Sequence, residues 1–429
     1  MRTSSRISGA LVLLLALAAC SDDTSSSDTT QPATTVVAET VTPTEPPATE
    51  PVTTVAATTT TVAATTELDA AALTAALAAD DMEGRDNGQP GSELAQALLI
   101  GQVSQFAQPA FPDQVGDAGY LQAFRQGANI LAIIPGGDLA GEWVVIGGHY
   151  DHLGSDCSGA DPADTICNGA TDNAAGAAVA VSVARAVAAA GTPRRSVLLA
   201  LWDAEEDGLL GSASWLKAPT VPVEQISAYI NFDIQGADLL PSLANFTVAV
   251  GAETGGAALV DATTRAIGQS TLETVQLSLL FGQGRSDHAN FASAGVPSVF
   301  FTDATGPCYH TSGDDIDVVD LAKLDQQVAA ASALALDLTA TDTPPVFDGA
   351  APASTYADAQ SMLALVQLAE PDFGLLADPA AAAAYLADMQ AIVAAGPDAF
   401  DDAAIGTMLG GAVSVVSALN SGVCQSYSG

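Results

Sequence analysis

The chain has 429 residues, 48% of them hydrophobic, enough for a large core and more than one small domain needs. Its formal net charge of −39 comes from a shortage of cations, since 50 acidic residues is ordinary for this length and 11 Lys and Arg is few. Such a surface repels phosphates, which excludes nucleic acid as an expected partner.

Residues 1–20 read as a lipoprotein signal peptide. Arg2 and Arg6 precede an apolar run from Leu11 to Ala19 that is too short for a permanent span. Leu17-Ala18-Ala19-Cys20 then places small residues before a cysteine, as in the bacterial lipoprotein box. Cys20 is the expected lipidation site, and its acyl chains would anchor the protein to the cell envelope outside the cytoplasm. No later run reaches about 18 uninterrupted apolar residues, so no membrane-spanning helix is expected after it. Residues 21–66 are rich in Thr, Ala, Ser and Pro and lack aromatics. They cannot bury enough apolar surface to offset ordering entropy, and are expected to form a disordered linker.

From 67 to 342, short apolar runs alternate with helical patterns. Strands are expected at 128–135, 143–147, 197–202, 227–233, 246–250 and 296–301, and helices at 173–190, 209–216, 256–267 and 287–294. The alternation predicts an α/β fold with a mixed, mostly parallel central sheet flanked by helices. Sites in such sheets form in crevices outside the C-terminal ends of the strands. Thr343-Pro344-Pro345 marks a break, and 343–429 reads as a small Ala-rich helical region interrupted at Glu370-Pro371 and Gly396-Pro397. It carries no constellation of catalytic groups.

With Cys20 lipidated, four cysteines remain. Cys157 and Cys167 share one polar loop and are paired, which leaves Cys308 for Cys424. No C-x-x-C spacing supports zinc ligation by these thiols.

Polar groups collect at the expected strand ends. WVVIGG runs into His149-Tyr150-Asp151-His152, VLLALW into Asp203-Ala204-Glu205-Glu206, and SAYINF into Asp233. A polar loop carries Asp172 into an apolar helix, and Cys308-Tyr309-His310-Thr311 follows VPSVFF. Crowded carboxylates raise one another's pKa, a problem that divalent cations remove. Mixed carboxylate and imidazole donors suit zinc, with manganese or cobalt as alternatives.

HYDHLG, GATDNAAG, DAEEDGLLGS, NFDIQG, GRSDHANF and CYHTSGDD occur in an order that resembles the di-zinc aminopeptidase family of metallopeptidases. That family includes secreted bacterial aminopeptidases and, more distantly, glutamate carboxypeptidase and the transferrin receptor. The resemblance covers about 67–342, including MEGRDNGQPGSELA near its start. It implies two Zn2+, one held by His149 and Asp233, the other by Glu206 and His310, with Asp172 bridging them. Glu205 is implied as general base, and Asp151 as the carboxylate that orients His149. Tyr309 matches a hydrogen-bond donor to the developing oxyanion, its alternative role being packing. Arg285 matches a substrate-binding cation, its alternative being an ion pair. For His152 and His288 local hydrogen bonding is expected.

The implied activity is hydrolysis of peptide bonds through a metal-bound water. An acidic pocket attracts a free α-ammonium group, so the expected substrates are peptides with a free N-terminus. Carboxypeptidase, single-zinc glutaminyl cyclase and a non-catalytic binding module are the alternatives. The preferred side chain and the oligomeric state are not readable from the sequence.

Overall fold

A computed structural model describes residues 66–427. The expected signal peptide, Cys20 and the expected linker up to residue 65 lie outside the described residues.

The strands are β1 (Gln108–Pro109), β2 (Leu121–Ala123), β3 (Ala128–Ile134), β4 (Leu139–His149), β5 (Arg195–Trp202), β6 (Ile226–Phe232), β7 (Phe246–Val250), β8 (Glu273–Leu277) and β9 (Ser298–Thr302). They form one sheet in the order β1-β3-β5-β4-β6-β9-β7-β8, with β2 also paired to β3. The central strands β5, β4, β6 and β9 run parallel, while β3 and β7 join them antiparallel. The result is the expected mixed, mostly parallel sheet. β5 and β6 are buried along their whole length, as parallel strands covered on both faces are.

Strand alternation divides the core into two layers. Val144, Ile146, Val197, Leu199 and Leu201 face a cluster with α1 (Ala70–Leu77), α2 (Pro90–Val103), α3 (Ala175–Ala189), α5 (Gly256–Ile267) and α7 (Leu321–Ala340). Val145, Leu198, Ala200 and Trp202 face the other side, with α4 (Leu210–Lys217) and α6 (His288–Ser293) supplying Trp215 and Phe291. Beyond the expected break lie α8 (Tyr356–Ala369), α9 (Pro379–Ala395) and α10 (Asp402–Asn420). They share a third cluster with β7, β8 and Phe300 of β9.

The expected strand at 296–301 begins two residues later, at Ser298, because Pro297 has no N–H for the ladder. The strand expected at 143–147 runs on to His149, so that the histidine is itself a sheet residue. β8 has no sequence counterpart. It is an edge strand with mixed burial, and ETVQL lacks an apolar run.

One helix among the described residues passes tests of length and hydropathy that a search for uninterrupted apolar runs misses. α10 has 19 residues and a mean hydropathy of 1.5, long and apolar enough by those measures. Ser414 and Ser417 hide this from a search for uninterrupted runs. In the structure α10 packs Met408, Ala418 and Leu419 into the third cluster. The disulfides are Cys157–Cys167 and Cys308–Cys424, and the second ties the segment after α10 to the loop after β9.

His288 departs from its expected hydrogen bonding. Neither ring nitrogen has a partner among the described residues, and the ring stacks on Phe300 with centroids 4.4 Å apart. Burial pushes this imidazole down to about 3. Its native pKa is therefore below the unfolded value of about 6.5. The stabilisation is complete above the unfolded pKa and is lost as pH falls through this window toward the native value, at no more than about 1.4 kcal/mol per pH unit. His288→Phe, which keeps the stack, should flatten the fall in stability between pH 6.5 and 4. Denaturant midpoints at three pH values test this, and an acid slope equal to wild type would refute it.

Candidate active site

β4 lies between β5 and β6, so the chain leaves it for one neighbour and later returns to the other. The crevice outside the strands' C-terminal ends is the natural site at such a reversal. His149 is the last residue of β4, Asp203 to Glu206 follow β5, and Asp233 follows β6. His310 lies in the loop after β9, and Asp172 in the irregular turn before α3.

Three of these exits share one device. Ala204, Ile234 and Ala304, each two residues past its strand, take left-handed φ values of 55°, 57° and 62°. His310 does the same at 58°. Each costs roughly 1–2 kcal/mol for a residue with a Cβ. The turns bend the chain across the strand ends instead of carrying it away.

The side chains meet around Asp172. Its Oδ1 lies 3.4 Å from His149 Nε2, and its Oδ2 lies 3.2 Å from His310 Nε2. His149 Nε2 is also 3.4 Å from Asp233 Oδ1, and His310 Nε2 is 3.1 Å from Glu206 Oε2. Each oxygen of one carboxylate thus serves a different imidazole, with a second carboxylate beside each. Asp151 joins the end of β4 to the exit of β5. Its Oδ1 is 3.5 Å from His149 Nδ1, and its carboxylate accepts from the backbone N–H groups of Glu205 and Glu206. The shorter contact of His149 Nδ1, 3.2 Å, is to the carbonyl of Asp151.

Three supporting residues had no role assigned from sequence. Arg85 is fully buried and donates to the carbonyls of Leu77, Tyr150, Asn168 and Gly169, fixing the segments beside His149 and Asp172. Burial lowers its guanidinium to about 10, with Asp314 and Asp151 opposing the fall. Asp314 accepts from the N–H and hydroxyl of Thr171 and from the N–H of Asp172, clasping the turn that presents Asp172. His152 Nδ1 lies 2.6 Å from Glu206 Oε1. Gly169 makes the approach of these pieces possible. Its φ is 53°, and a Cβ there would run into the Asp172 carbonyl and the His152 ring. The signal for Arg85 was present: a chain with 11 cations spends one on MEGR.

The titration directions report the crowding. For Asp172, burial pushes upward, but the imidazoles of His149 and His310 beside it prevail and hold it low. His310 is pushed up to about 10 because Asp172 and Glu206 outweigh its burial. Burial also opposes the rise of His149, which Asp233 and Glu205 drive well above its usual range. Glu205 itself is pushed well up, first by burial and then by Asp233 and Asp287. The site is therefore built to hold positive charge between carboxylates.

Metal ions fit this arrangement. His149 Nε2 and His310 Nε2 are buried and have no hydrogen-bond partner among the described residues. Two donors about 2.0–2.1 Å from a tetrahedral zinc sit about 3.3 Å apart. The four separations around Asp172, 3.1 to 3.4 Å, match that edge. His152 also lies with Asp172 and Glu206 in a group whose donor atoms fall within 4.8 Å. Its 2.6 Å contact with Glu206 is a hydrogen bond, too short for two donors on one ion. It orients Glu206 and leaves Oε2 for the metal. His152→Ala should therefore weaken divalent-ion affinity roughly 10–100-fold without changing the number of ions bound. Metal titration with elemental analysis tests this. Loss of one whole ion would make His152 a ligand.

A cavity of about 120 Å³ adjoins the centre, and Asp172, Glu205, Glu206, Asp233, Arg285 and Tyr309 all border it. Tyr309 stacks on His310 with centroids 3.7 Å apart. Burial raises its phenol far above its usual value, aided by Asp172 and Glu206. Arg285 is exposed, forms no ion pair among the described residues, and lies 6.0 Å from the centre of the Tyr309 ring.

Comparison with known proteins agrees with this geometry. Residues 129–335 match the model of peptidase family M28. Leupeptin-inactivating enzyme 1 of Streptomyces exfoliatus is 29% identical over 241 residues, 52% of this chain and 45% of that one. A protein named probable glutamate carboxypeptidase from Arabidopsis thaliana is 30% identical over 206 residues, 44% of this chain and 26% of that one. The chain thus spans less than half the length of these curated relatives. LapA of Legionella pneumophila superposes with a TM-score of 0.51 at 19% identity, over 64% of this chain and 73% of that one, and shares the fold. The stretch from β3 into α7, which carries every one of these strand-end side chains, matches peptidase family M28.

Proposed function

We propose that the protein is a two-zinc metallopeptidase that removes residues from the N-termini of peptides, carried outside the cytoplasm on a lipid at Cys20. The observation that carries this reading is the Asp172 carboxylate, whose two oxygens face two different imidazoles. His149 and Asp233 would hold one zinc, Glu206 and His310 the other, and Asp172 both. When bound, the ions supply Lewis acidity that lowers the pKa of water and polarises a carbonyl.

The rest of the chemistry belongs to the protein's own groups. The carboxylate of Glu205 is engaged by no hydrogen bond among the described residues, while Glu206 beside it is tied to His152. Burial gives Glu205 a raised proton affinity, suited to taking a proton from the attacking water and passing it to the leaving amine. The Tyr309 phenol stays protonated and would donate to the carbonyl oxygen as negative charge develops there. The carboxylates bordering the cavity attract a substrate α-ammonium group. Arg285 on the same cavity favours a second reading, a carboxypeptidase that pairs this cation with a substrate carboxylate.

Glu205→Gln should keep the metal content and lose about 10²–10⁴-fold in turnover. Near-normal turnover would remove Glu205 from the base role. Excess chelator should abolish activity, and added zinc should restore it. Activity that persists after confirmed metal loss would overturn the mechanism. Aminoacyl p-nitroanilides against N-blocked dipeptides with free carboxylates separate the two readings, since an aminopeptidase cleaves only the first.

A further inference from the structure

We propose that Val416, on α10, is a specificity-determining residue that sets the depth of the substrate side-chain pocket. This makes the C-terminal helical region part of the binding site, and it rests on the peptidase reading above. The apolar part of the site cavity's wall includes Ile234, Phe281, Phe300 and Val416, while Gln283, Thr302 and Thr305 add polar groups to its border. The apolar side chains suit an apolar substrate residue. Among the described residues, Val416 is the one lining residue contributed from beyond residue 342.

A second cavity, of about 100 Å³, lies among β7, α8, α9 and α10, with walls that include Phe246, Met362, Val366, Tyr385 and Leu419. Ala304 and Val416 border both spaces. Ala304 presents a single methyl, so Val416 supplies most of the side-chain bulk that the two cavities share. The walls of this second space are almost wholly apolar; Asp303 borders it, and the buried Tyr385 hydroxyl has no hydrogen-bond partner among the described residues.

The position of α10 is fixed from two sides. Met408, Ala418 and Leu419 pack into the third cluster, and Cys424 is joined to Cys308, two residues before His310. The wall and the metal-ligating loop are thus covalently tied.

An apolar cavity of roughly 150 Å³ holds a benzene ring. The whole cavity measures about 120 Å³, part of it against Asp172, Glu205, Glu206 and Asp233, so the apolar remainder takes a side chain no larger than leucine or methionine and resists a fused bicyclic one. Trimming Val416 would join the pocket to the second cavity and admit the larger group. A methylene's worth of misfit in an apolar pocket is worth about 10–200-fold in kcat/KM.

The test compares kcat/KM for leucine and 2-naphthylalanine p-nitroanilides in the zinc-loaded wild type, V416A, V416M, V416W and V413A. V416A should raise the naphthylalanine-to-leucine ratio at least about 10-fold. V416W should lower leucine turnover about 10-fold and spare alanine p-nitroanilide. Val413 is 45% exposed on the same helix and borders neither cavity, so V413A should match wild type. If V416W fails to fold by circular dichroism, V416A and V416M decide. Ratios within about twofold of wild type in both would overturn the proposal. Wild-type inactivity on every one of these p-nitroanilides would instead bring down the aminopeptidase reading, and this inference with it.

Discussion

The organising constraint is charge. Asp151, Asp172, Asp203, Glu205, Asp233, Asp287 and Asp314 are all buried, gathered where parallel strands end. Carboxylates removed from water and placed near one another resist ionising together. The upward push on Glu205, Asp233 and Asp287, with burial as its leading cause, is the direct expression of that resistance. Only intervening positive charge resolves it. His149 and His310 supply part, and their orphaned Nε2 atoms mark where divalent cations would supply more. A cluster this unfavourable without cations is hard to explain as a stabilising feature of the sheet, which has ample apolar burial of its own.

Holding the cluster together requires groups that do not themselves neutralise it. Arg85 donates to the backbone carbonyls of Leu77, Tyr150, Asn168 and Gly169, so this buried cation shapes the strand-end loops without a hydrogen bond to Asp172. Asp314 does the complementary task, collecting N–H groups from the turn below Asp172. Hydrogen bonds to charged groups are worth about 1.5–3 kcal/mol each. Several of them can offset left-handed residues at roughly 1–2 kcal/mol apiece. Strained exits and buried clamps therefore belong to one design. The exits aim the donors, and the clamps keep the exits in place.

This division explains what the sequence disclosed. The strands, and the polar residues at their ends, are chemically distinct from their surroundings, so His149, Glu205, Glu206 and Asp233 stood out in linear order. Proximity in one loop gave Cys157–Cys167, and elimination, with Cys20 set aside, gave Cys308–Cys424. The left-handed turns did not show, because Ala204, Ile234 and Ala304 are residue types with no preference for that conformation. Arg85 was marked only by the scarcity of cations, and most of the backbone groups that it and Asp314 hold lie far away in sequence, so neither role shows in a local pattern. His288 misled for a related reason. A histidine is expected to find a partner, and here an aromatic face takes its place. β8 escaped because an edge strand needs no continuous apolar run.

α10 shows why composition settles so little by itself. Its length and hydropathy would serve a membrane span, a core helix or a wall, and only the partners of each face distinguish these. Met408, Ala418 and Leu419 are buried against the sheet-edge cluster, Val413 is exposed, and Val416 borders the cavity beside Glu205. The disulfide from Cys424 to Cys308 then fastens this helix to the turn that presents His310. A membrane span would have to release that packing and bend sharply within the few residues from Asn420 to Cys424. With one end of the region bonded beside a proposed metal ligand and one side chain in the substrate cavity, the helices after residue 342 are better understood as completing the site than as decorating it.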